Sequence, residues 1–356
     1  MRNLILKHAL ANAVQHDGKA SSKAVLGKVL GERPELKSQI KKLMKEIEDV
    51  VDEVNKLSLD QQKKMLEELG VEIKKKKEKA KLPPLPNAVK GKVVTAFPPE
   101  PSKYPHLGHA KAAVINYEYA RMYDGKFILR FEDSNPTKAK PDFYQAFKDG
   151  LRWLGLEWDS EDYLSDHMEE YYEATEKLIK EGKAYVCTCP VEKVREYRRL
   201  MKECEHRKQS VEKNLELWHK MVEGKFKEGE ANVRLKIVMS HKNAAMRDPA
   251  IMRPLHGTHP RVGDKYKVWP LYDFGTALLD AWEGVTHRIR SKEFEMRTEL
   301  QNFIREALGI KRHPVIMEIA RFTLENTITS GRKIREMLAK GELRGWDDPR
   351  LVTLVA

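Results

Sequence analysis

The sequence predicts an α/β protein in which a helical N-terminal region precedes a nucleotide-binding domain built on a parallel sheet. Three observations carry this. Residues 1 to about 80 are nearly free of strand signals. A strand–helix–strand run fills about 45 residues after residue 90, the size of a βαβ unit. The loop inside that run holds two histidines three residues apart, His106 and His109.

In the helical region Leu4, Ile5, Ala9, Leu10 and Ala13, and later Ile40, Leu43, Ile47, Val50, Val51 and Val54, recur at helical spacing. Ser58 precedes LDQQKKMLEELG with Gln61 three residues on, the pattern of a capping box, and Gly70 supplies a stop. The run KKKKEKAK (74–81) and the following PPLPN end the region, because like charges repel and proline lacks the helical N–H. The run reads as a solvated linker, and a domain boundary is expected near residue 85.

Beyond it, KVVTAF is a short β-branched run, FPPEPSKYPHLG is punctuated by prolines, HAKAAVINYEYARMY reads as a helix ended by Asp124-Gly125, and FILRFED reads as a second buried strand. Neither GxGxxG nor GxxxxGK[ST] occurs, so a dinucleotide fingerprint and a P-loop are both excluded. The phosphate device falls instead on Pro105-His106-Leu107-Gly108-His109-Ala110, between strand and helix, where free N–H groups and the helix dipole favour phosphate. Two imidazoles can donate to phosphate oxygens as charge develops at the α-phosphate, while Gly108 lets adenine approach the backbone. ATP is therefore expected on His106, Gly108 and His109; the competing reading is two turn histidines.

Lys and Arg number 66 against 54 Asp and Glu, a net charge of +12, which favours a polyanionic partner or a surface laced with ion pairs. There is no apolar run near ~18 residues and no signal-peptide pattern, so a cytoplasmic protein without membrane contact is expected. The three cysteines lie between residues 187 and 204, which argues against a disulfide framework. With His206 they form CxC–x14–CxH: Cys187, Cys189, Cys204 and His206 would complete a tetrahedral structural Zn2+ site with no open position. Three buried apolar cysteines are the alternative.

The Pro105–Ala110 segment resembles the HIGH motif of class I aminoacyl-tRNA synthetases. Residues 97–136 are similar to the opening of the glutamyl/glutaminyl subfamily, and WPLYDF (269–274), GVTHRIR (284–290) and GWDDPR (345–350) follow in compatible order. The helical beginning KHALANAVQHDGKASSKAVLGKVLGERPEL, YVCTCP and GEANVRLK are similar to the archaeal glutamyl enzymes, so the resemblance covers the whole chain. It implies a class I synthetase Rossmann-like nucleotide-binding domain in two halves, 86–184 and 266–356. Between them lies an acceptor-stem-binding insertion at 185–265 with the zinc site, and before them the helical region, 1–85.

The activity implied is an ATP-dependent glutamate–tRNA ligase that needs tRNA present to activate its amino acid. The partners implied are glutamate, the tRNA acceptor stem, and Mg2+ carried with ATP; a monomer is expected, with the helical region offering a surface to a protein partner. By the resemblance Ser102, Glu132, Tyr272 and Arg290 bind the amino acid, Glu132 taking the ammonium and Arg290 a carboxylate, roles that suit an anionic acceptor and a planar bidentate donor. His106, His109 and Lys333 would carry catalysis, with Ser330 and Arg332 completing the ATP site in the late loop.

The chain also departs from the subfamily. Ala96 stands where an arginine that reads the substrate side-chain carboxylate is usual; Lys103 replaces Gly, Pro105 Leu, Ser291 Gly and Phe294 His. The KMSKS-type loop appears as TSGRKIREML, with Gly331 at or beside the place of its first lysine; SGRKIREML is also similar to the SGTxIR loop of nucleotidylyltransferases. Weak glutamate activation is therefore expected. Relatives continue past LVTLVA into anticodon-reading β-barrels, so the chain is either an excised fragment or a short paralogue. A paralogue that adenylylates another small acid or modifies tRNA, and a non-catalytic RNA- or partner-binding module, remain the alternatives.

Overall fold

A computed structural model describes residues 1–70, 82–320, 324, 327–328 and 330–355. The lysine run 74–81 and Thr329 of the late loop lie outside the described residues. The chain divides into two compact units, residues 1–82 and 83–356.

The first unit consists of helices α1 (Arg2–Gln15), α2 (Ser22–Glu32), α3 (Ile40–Asn55) and α4 (Leu59–Glu68). Their apolar stripes close one core in which Ile5, Ala9, Leu10 and Ala13 meet Val25, Val29, Leu43, Ile47, Val50, Val51, Val54 and Leu66. Ile40 fits the helical spacing but is 42% exposed, because it is the first residue of α3 and lies ahead of the buried stripe. The Ser58 capping box forms: Gln61 N–H donates to Ser58 Oγ at 3.3 Å and Ser58 N–H to Gln61 Oε1 at 2.9 Å. Gln62 is buried, but its Nε2 donates to the carbonyls of Gly18, Val54 and Leu57.

The second unit opens with β1 (Val94–Phe97), α5 (Leu107–Met122) and β2 (Lys126–Phe131), then α6 (Pro141–Trp153), β3 (Ser160–Tyr163) and α7 (Met168–Lys180). β1, β2 and β3 pair in parallel, Ala96 opposite Ile128 and Ile128 opposite Ser160. The turn into β2 needs its glycine, since a Cβ on Gly125 would lie 2.2 Å from the Val93 carbonyl oxygen.

An antiparallel sheet of β4 (Ala184–Cys187), β5 (Asn232–Leu235), β6 (Ala250–Pro254) and β7 (Val268–Pro270) then interrupts the parallel one, with α8 (Val191–Leu200) and α9 (Val211–Val222) between its first two strands. The chain returns through α10 (Tyr272–Trp282), β8 (His287–Ser291), α11 (Thr298–Ala307), β9 (Val315–Ile319) and α12 (Gly331–Ala339), with β8 and β9 parallel. β8 runs beside β1, where Thr286 N–H donates to the Val94 carbonyl at 3.0 Å. The nucleotide-type fold is thus resumed after the interruption. The largest core joins α7, the antiparallel sheet, α10 and α11 around Trp218, Trp269, Phe274 and Leu278.

Candidate active site

The site forms where β1 ends. Residues 98–105 loop away from the strand, and His106 caps α5 in an extended conformation. Gly108 N–H donates to His106 Nδ1 at 3.1 Å, and His106 N–H donates to His109 Nδ1 at 3.2 Å. Both Nδ1 atoms are therefore acceptors, which places the proton of each neutral ring on Nε2. The rings stack with centroids 3.8 Å apart, and Phe97 and Phe147 pack edge-on against His109. Burial pushes His106 down to about 4, with the Lys103 charge adding to it. His109 is held well below the usual imidazole range by burial, then by His106 and Lys103. At neutral pH the pair offers two uncharged Nε2–H donors at a helix N-terminus, chemistry suited to phosphate oxygens. A Cβ on Gly108 would come within 2.9 Å of His106 Cε1, so glycine is what lets this ring lie over the turn.

A cavity of about 510 Å³ opens here, and its lining runs from Lys103, His106, Gly108 and His109 to Glu132, Tyr272, Arg288, Arg290 and Phe294. Glu132, just past the end of β2, takes the Thr276 hydroxyl and Arg130 Nη2 on Oε1, the latter at 3.1 Å. Arg130 is fully buried and also reaches Asp280 at 2.9 Å and Glu283 at 2.7 Å. Arg288 joins the same network, 3.2 Å from Asp280 and 3.8 Å from Glu132. Burial pushes Glu283 up to about 7 despite Arg130 beside it. The Tyr272 ring meets Phe294 at 5.2 Å. Arg290 donates Nη1 to Gln301 Oε1 at 2.8 Å and Nη2 to the Thr298 hydroxyl, while its Nε and the Ser291 hydroxyl have no partner among the described residues.

Of the residues singled out from sequence, His106, Gly108, His109, Glu132, Tyr272 and Arg290 share this cavity. Ser102 does not line it: it is buried, donating Oγ to Glu100 at 3.1 Å and accepting Arg335 Nη1 on its carbonyl at 3.2 Å. Ser330, Arg332 and Lys333 also stand outside the lining. Ser330 caps α12 by accepting the Lys333 N–H, and Arg332 is 87% exposed and paired with Glu336. Ala96 is fully buried against Ile128 and Val285.

Sequence reasoning missed Arg130 and Arg288. The signal was present, because side chains two apart on a strand share a face, which puts Arg130 with Glu132 and Arg288 with Arg290. Asp280 and Glu283, three apart on or just after α10, supply the carboxylates that make a buried arginine tolerable.

The four zinc-ligand candidates converge, with all donor atoms within 4.8 Å of one another. Cys187 Sγ lies 3.9 Å from Cys204 Sγ, and His206 Nδ1 lies 3.3 Å from Cys189 Sγ and 3.9 Å from Cys187 Sγ. Zn–S bonds of about 2.3 Å in a tetrahedron set sulfurs roughly 3.8 Å apart, so the cluster fits such an ion. His206 Nε2 is held by the Thr188 hydroxyl at 2.9 Å, which turns Nδ1 to the thiols. Arg234 Nη1 lies 3.9 Å from both Cys187 and Cys204, a cation placed to balance thiolate charge. Arg198 on α8 lies near Arg234 and Arg247 of the inserted portion and near Arg297 just before α11, whose charges add to burial in lowering its pKa, with Asp248 acting against them.

A parallel sheet with an HxGH turn over a nucleotide-sized cavity defines the catalytic fold of the class I aminoacyl-tRNA synthetases. The family model "tRNA synthetases class I (E and Q), catalytic domain" matches residues 92–356, and the chain belongs to this family. It is 48% identical to a glutamate–tRNA ligase of Pyrococcus furiosus over 365 aligned residues, covering all of this chain and 64% of that protein. It is 49% identical to one of Pyrococcus abyssi, again covering 100% and 64%. The chain thus spans just under two thirds of the length of these relatives. Among solved structures, a glutamate–tRNA ligase of Elizabethkingia meningosepticum in complex with its amino acid aligns at a TM-score of 0.49 and 20% identity, over 70% of this chain and 53% of that one.

Proposed function

We propose that the chain carries the catalytic machinery of an ATP-dependent glutamate–tRNA ligase. The observation that carries the reading is one cavity that holds a neutral histidine pair at a helix N-terminus together with Glu132, Tyr272 and Arg290. The similarity to archaeal ligases of that name over the whole chain supports the choice of amino acid.

In the first step a glutamate α-carboxylate oxygen attacks the α-phosphorus of ATP. The P–O bond to pyrophosphate breaks, giving glutamyl-adenylate. His106 and His109 donate Nε2–H to phosphate oxygens as negative charge builds, and being uncharged they add no proton-transfer demand. Glu132, fixed by Arg130 and Thr276, receives the substrate ammonium, and Arg290, which lines the same cavity and has a buried Nε without a partner among the described residues, is the candidate for a carboxylate. In the second step a terminal ribose hydroxyl of tRNA attacks the acyl carbon and releases AMP. No protein nucleophile is needed; positioning and electrostatics carry the rate. Mg2+ bound to the nucleotide would offset phosphate charge. Lys333 enters this reading only through its loop, since its side chain is outside the cavity lining.

Cys187, Cys189, Cys204 and His206 would hold Zn2+ in a folding role, with four protein donors and no open position. The inserted sheet with its arginines is our candidate for the acceptor-stem contact. ATP–pyrophosphate exchange over a panel of amino acids, with and without tRNA, tests the reading. Glutamate-dependent exchange that requires tRNA supports it; exchange with another acid moves the chain to a paralogue of altered specificity, and ATP-independent RNA binding alone removes the enzyme.

A further inference from the structure

Lys103 precedes the histidine turn and lines the cavity beside it. It is mostly buried, and no carboxylate among the described residues lies within ion-pair distance of its ammonium group. Both histidines feel its charge. Arg335 adds a second cation, anchored to the same loop by its bond to the Ser102 carbonyl, and repels Lys103, while Glu100 is the one acidic group acting in its favour. A partly desolvated ammonium without a salt-bridge partner, at the phosphate-suited end of a cavity, lacks a counter-charge that an anion would supply.

Gly331, the first residue of α12, explains how the lysine fits. A Cβ there would lie 3.0 Å from Lys103 Cδ and 3.9 Å from its Nζ, and 3.6 Å from Arg335 Nη1. Gly331 and Arg335 are one helical turn apart, so both face the lysine. The methylene stem of Lys103 thus lies across a helix position that carries no side chain, in a residue that lines the cavity.

We propose that Lys103 is the cation that grips the polyphosphate of the nucleotide, and that Gly331 is the position that makes room for it. This rests on the reading of the cavity as an ATP site. Two features that each look like a defect in sequence, a lysine before the histidine turn and a glycine in the late loop, form one device in which the positive charge comes from the early loop. Lysine serves here as a point charge on a flexible stem, as it does in other phosphate sites.

Calorimetry on the full chain with ATP, adenosine and inorganic tripolyphosphate, each in the presence of Mg2+, tests this. Lys103→Gln is expected to weaken ATP and tripolyphosphate about tenfold or more while leaving adenosine unchanged, and Lys103→Arg to retain most of the affinity. Gly331→Ala, which presses on the lysine stem, is expected to weaken ATP on its own but to add nothing in the Lys103→Gln background, because both changes act through one contact. Unchanged ATP affinity in Lys103→Gln overturns the proposal while leaving the ATP reading in place, as does a fully additive Gly331→Ala. Lysine-dependent tripolyphosphate binding without any affinity for ATP would keep the anion grip and sink the nucleotide reading. A wild-type chain that binds neither would remove both.

Discussion

Replacing Arg130 by Met, which nearly keeps its volume, isolates what the buried charge network does for the site. Arg130 is the shared partner of Glu132, Asp280 and Glu283. After the change Asp280 keeps Arg288 at 3.2 Å, whereas Glu283 loses the one cation it pairs with among the described residues. Breaking a buried pair from one side costs about 3–5 kcal/mol at neutral pH. The pH dependence has a definite sign. The folded Glu283 value is about 7 against an ordinary 4.5, so the folded state holds the extra proton between those values and stability falls as pH rises through this window. Without Arg130 the folded value rises further, so the decline continues above pH 7, by about 1.4 kcal/mol for each unit of further shift. The variant's deficit should therefore be larger at pH 8.5 than at pH 5.5. All six tryptophans, Trp153 to Trp346, lie in the second unit, so their fluorescence during urea unfolding follows that unit alone. A deficit below about 1 kcal/mol at pH 8.5, or one equal at both pH values, would refute the account. In the folded variant Glu132 keeps only its Thr276 partner and Arg288 at 3.8 Å, and the KM for the amino acid should rise more than the KM for ATP.

Three further expectations follow from the site and the insertion. Ala96→Arg should raise glutamate-dependent pyrophosphate exchange, measured with tRNA present, by about thirtyfold or more, with Arg290 still required; an unaltered chain already working at that level would make Arg288, on the strand beside β1, the next residue to replace. Metal analysis should find about one zinc per chain, and Cys204→Ser should lower both zinc content and the protection of β4 and α8 in hydrogen exchange while ATP binding persists; a zinc-free chain of undiminished stability would end the assignment. An acceptor-stem minihelix should compete nearly as well as whole tRNA, and affinity for both should drop steeply with salt; a minihelix that fails to compete would place the contact elsewhere.

Much of this architecture could be read from the chain because local signals agreed with the final packing. The Ser58–Gln61 capping box, the helix closed at Asp124-Gly125 and the apolar stripes of α1 and α3 each rest on residues within a few positions of one another. The histidine turn was legible for the same reason, since its hydrogen bonds span two or three residues. What could not be read was set by long-range pairing. Arg130 meets Asp280 across 150 residues, and nothing near FILRFED announces that partner. The motif assigns Ser102 to the amino-acid site, whereas in the fold its hydroxyl bonds to Glu100 and its carbonyl to Arg335, 233 positions away. The late loop shows the same limit from the other side: the Ser330 cap is local, while the packing of Gly331 on Lys103 depends on the tertiary fold.

The distribution of charge along the cavity gives these departures a common physical sense. At one end neutral histidines, Lys103 and Glu100 line it, with Arg335 beside the lysine, so cations outnumber carboxylates there. Further along, Glu132, Arg288 and Arg290 line it, and the first two belong to a buried network with Arg130, Asp280 and Glu283, of which Glu283 titrates near neutrality. With Arg290 counted, three cations meet three carboxylates, and Glu132 is the anionic group of this network on the cavity wall that the proposed substrate ammonium would meet. On the proposed reading, the polyphosphate would lie against the cationic end and the ammonium against Glu132, with the carboxylate to be activated between them. An arginine at position 96 would enter the sheet beside β8 and change this balance, whereas the lysine at 103 alters the phosphate end alone. On the proposed reading, the alanine at 96 would bear on which acid is chosen and the lysine at 103 on how the nucleotide is held.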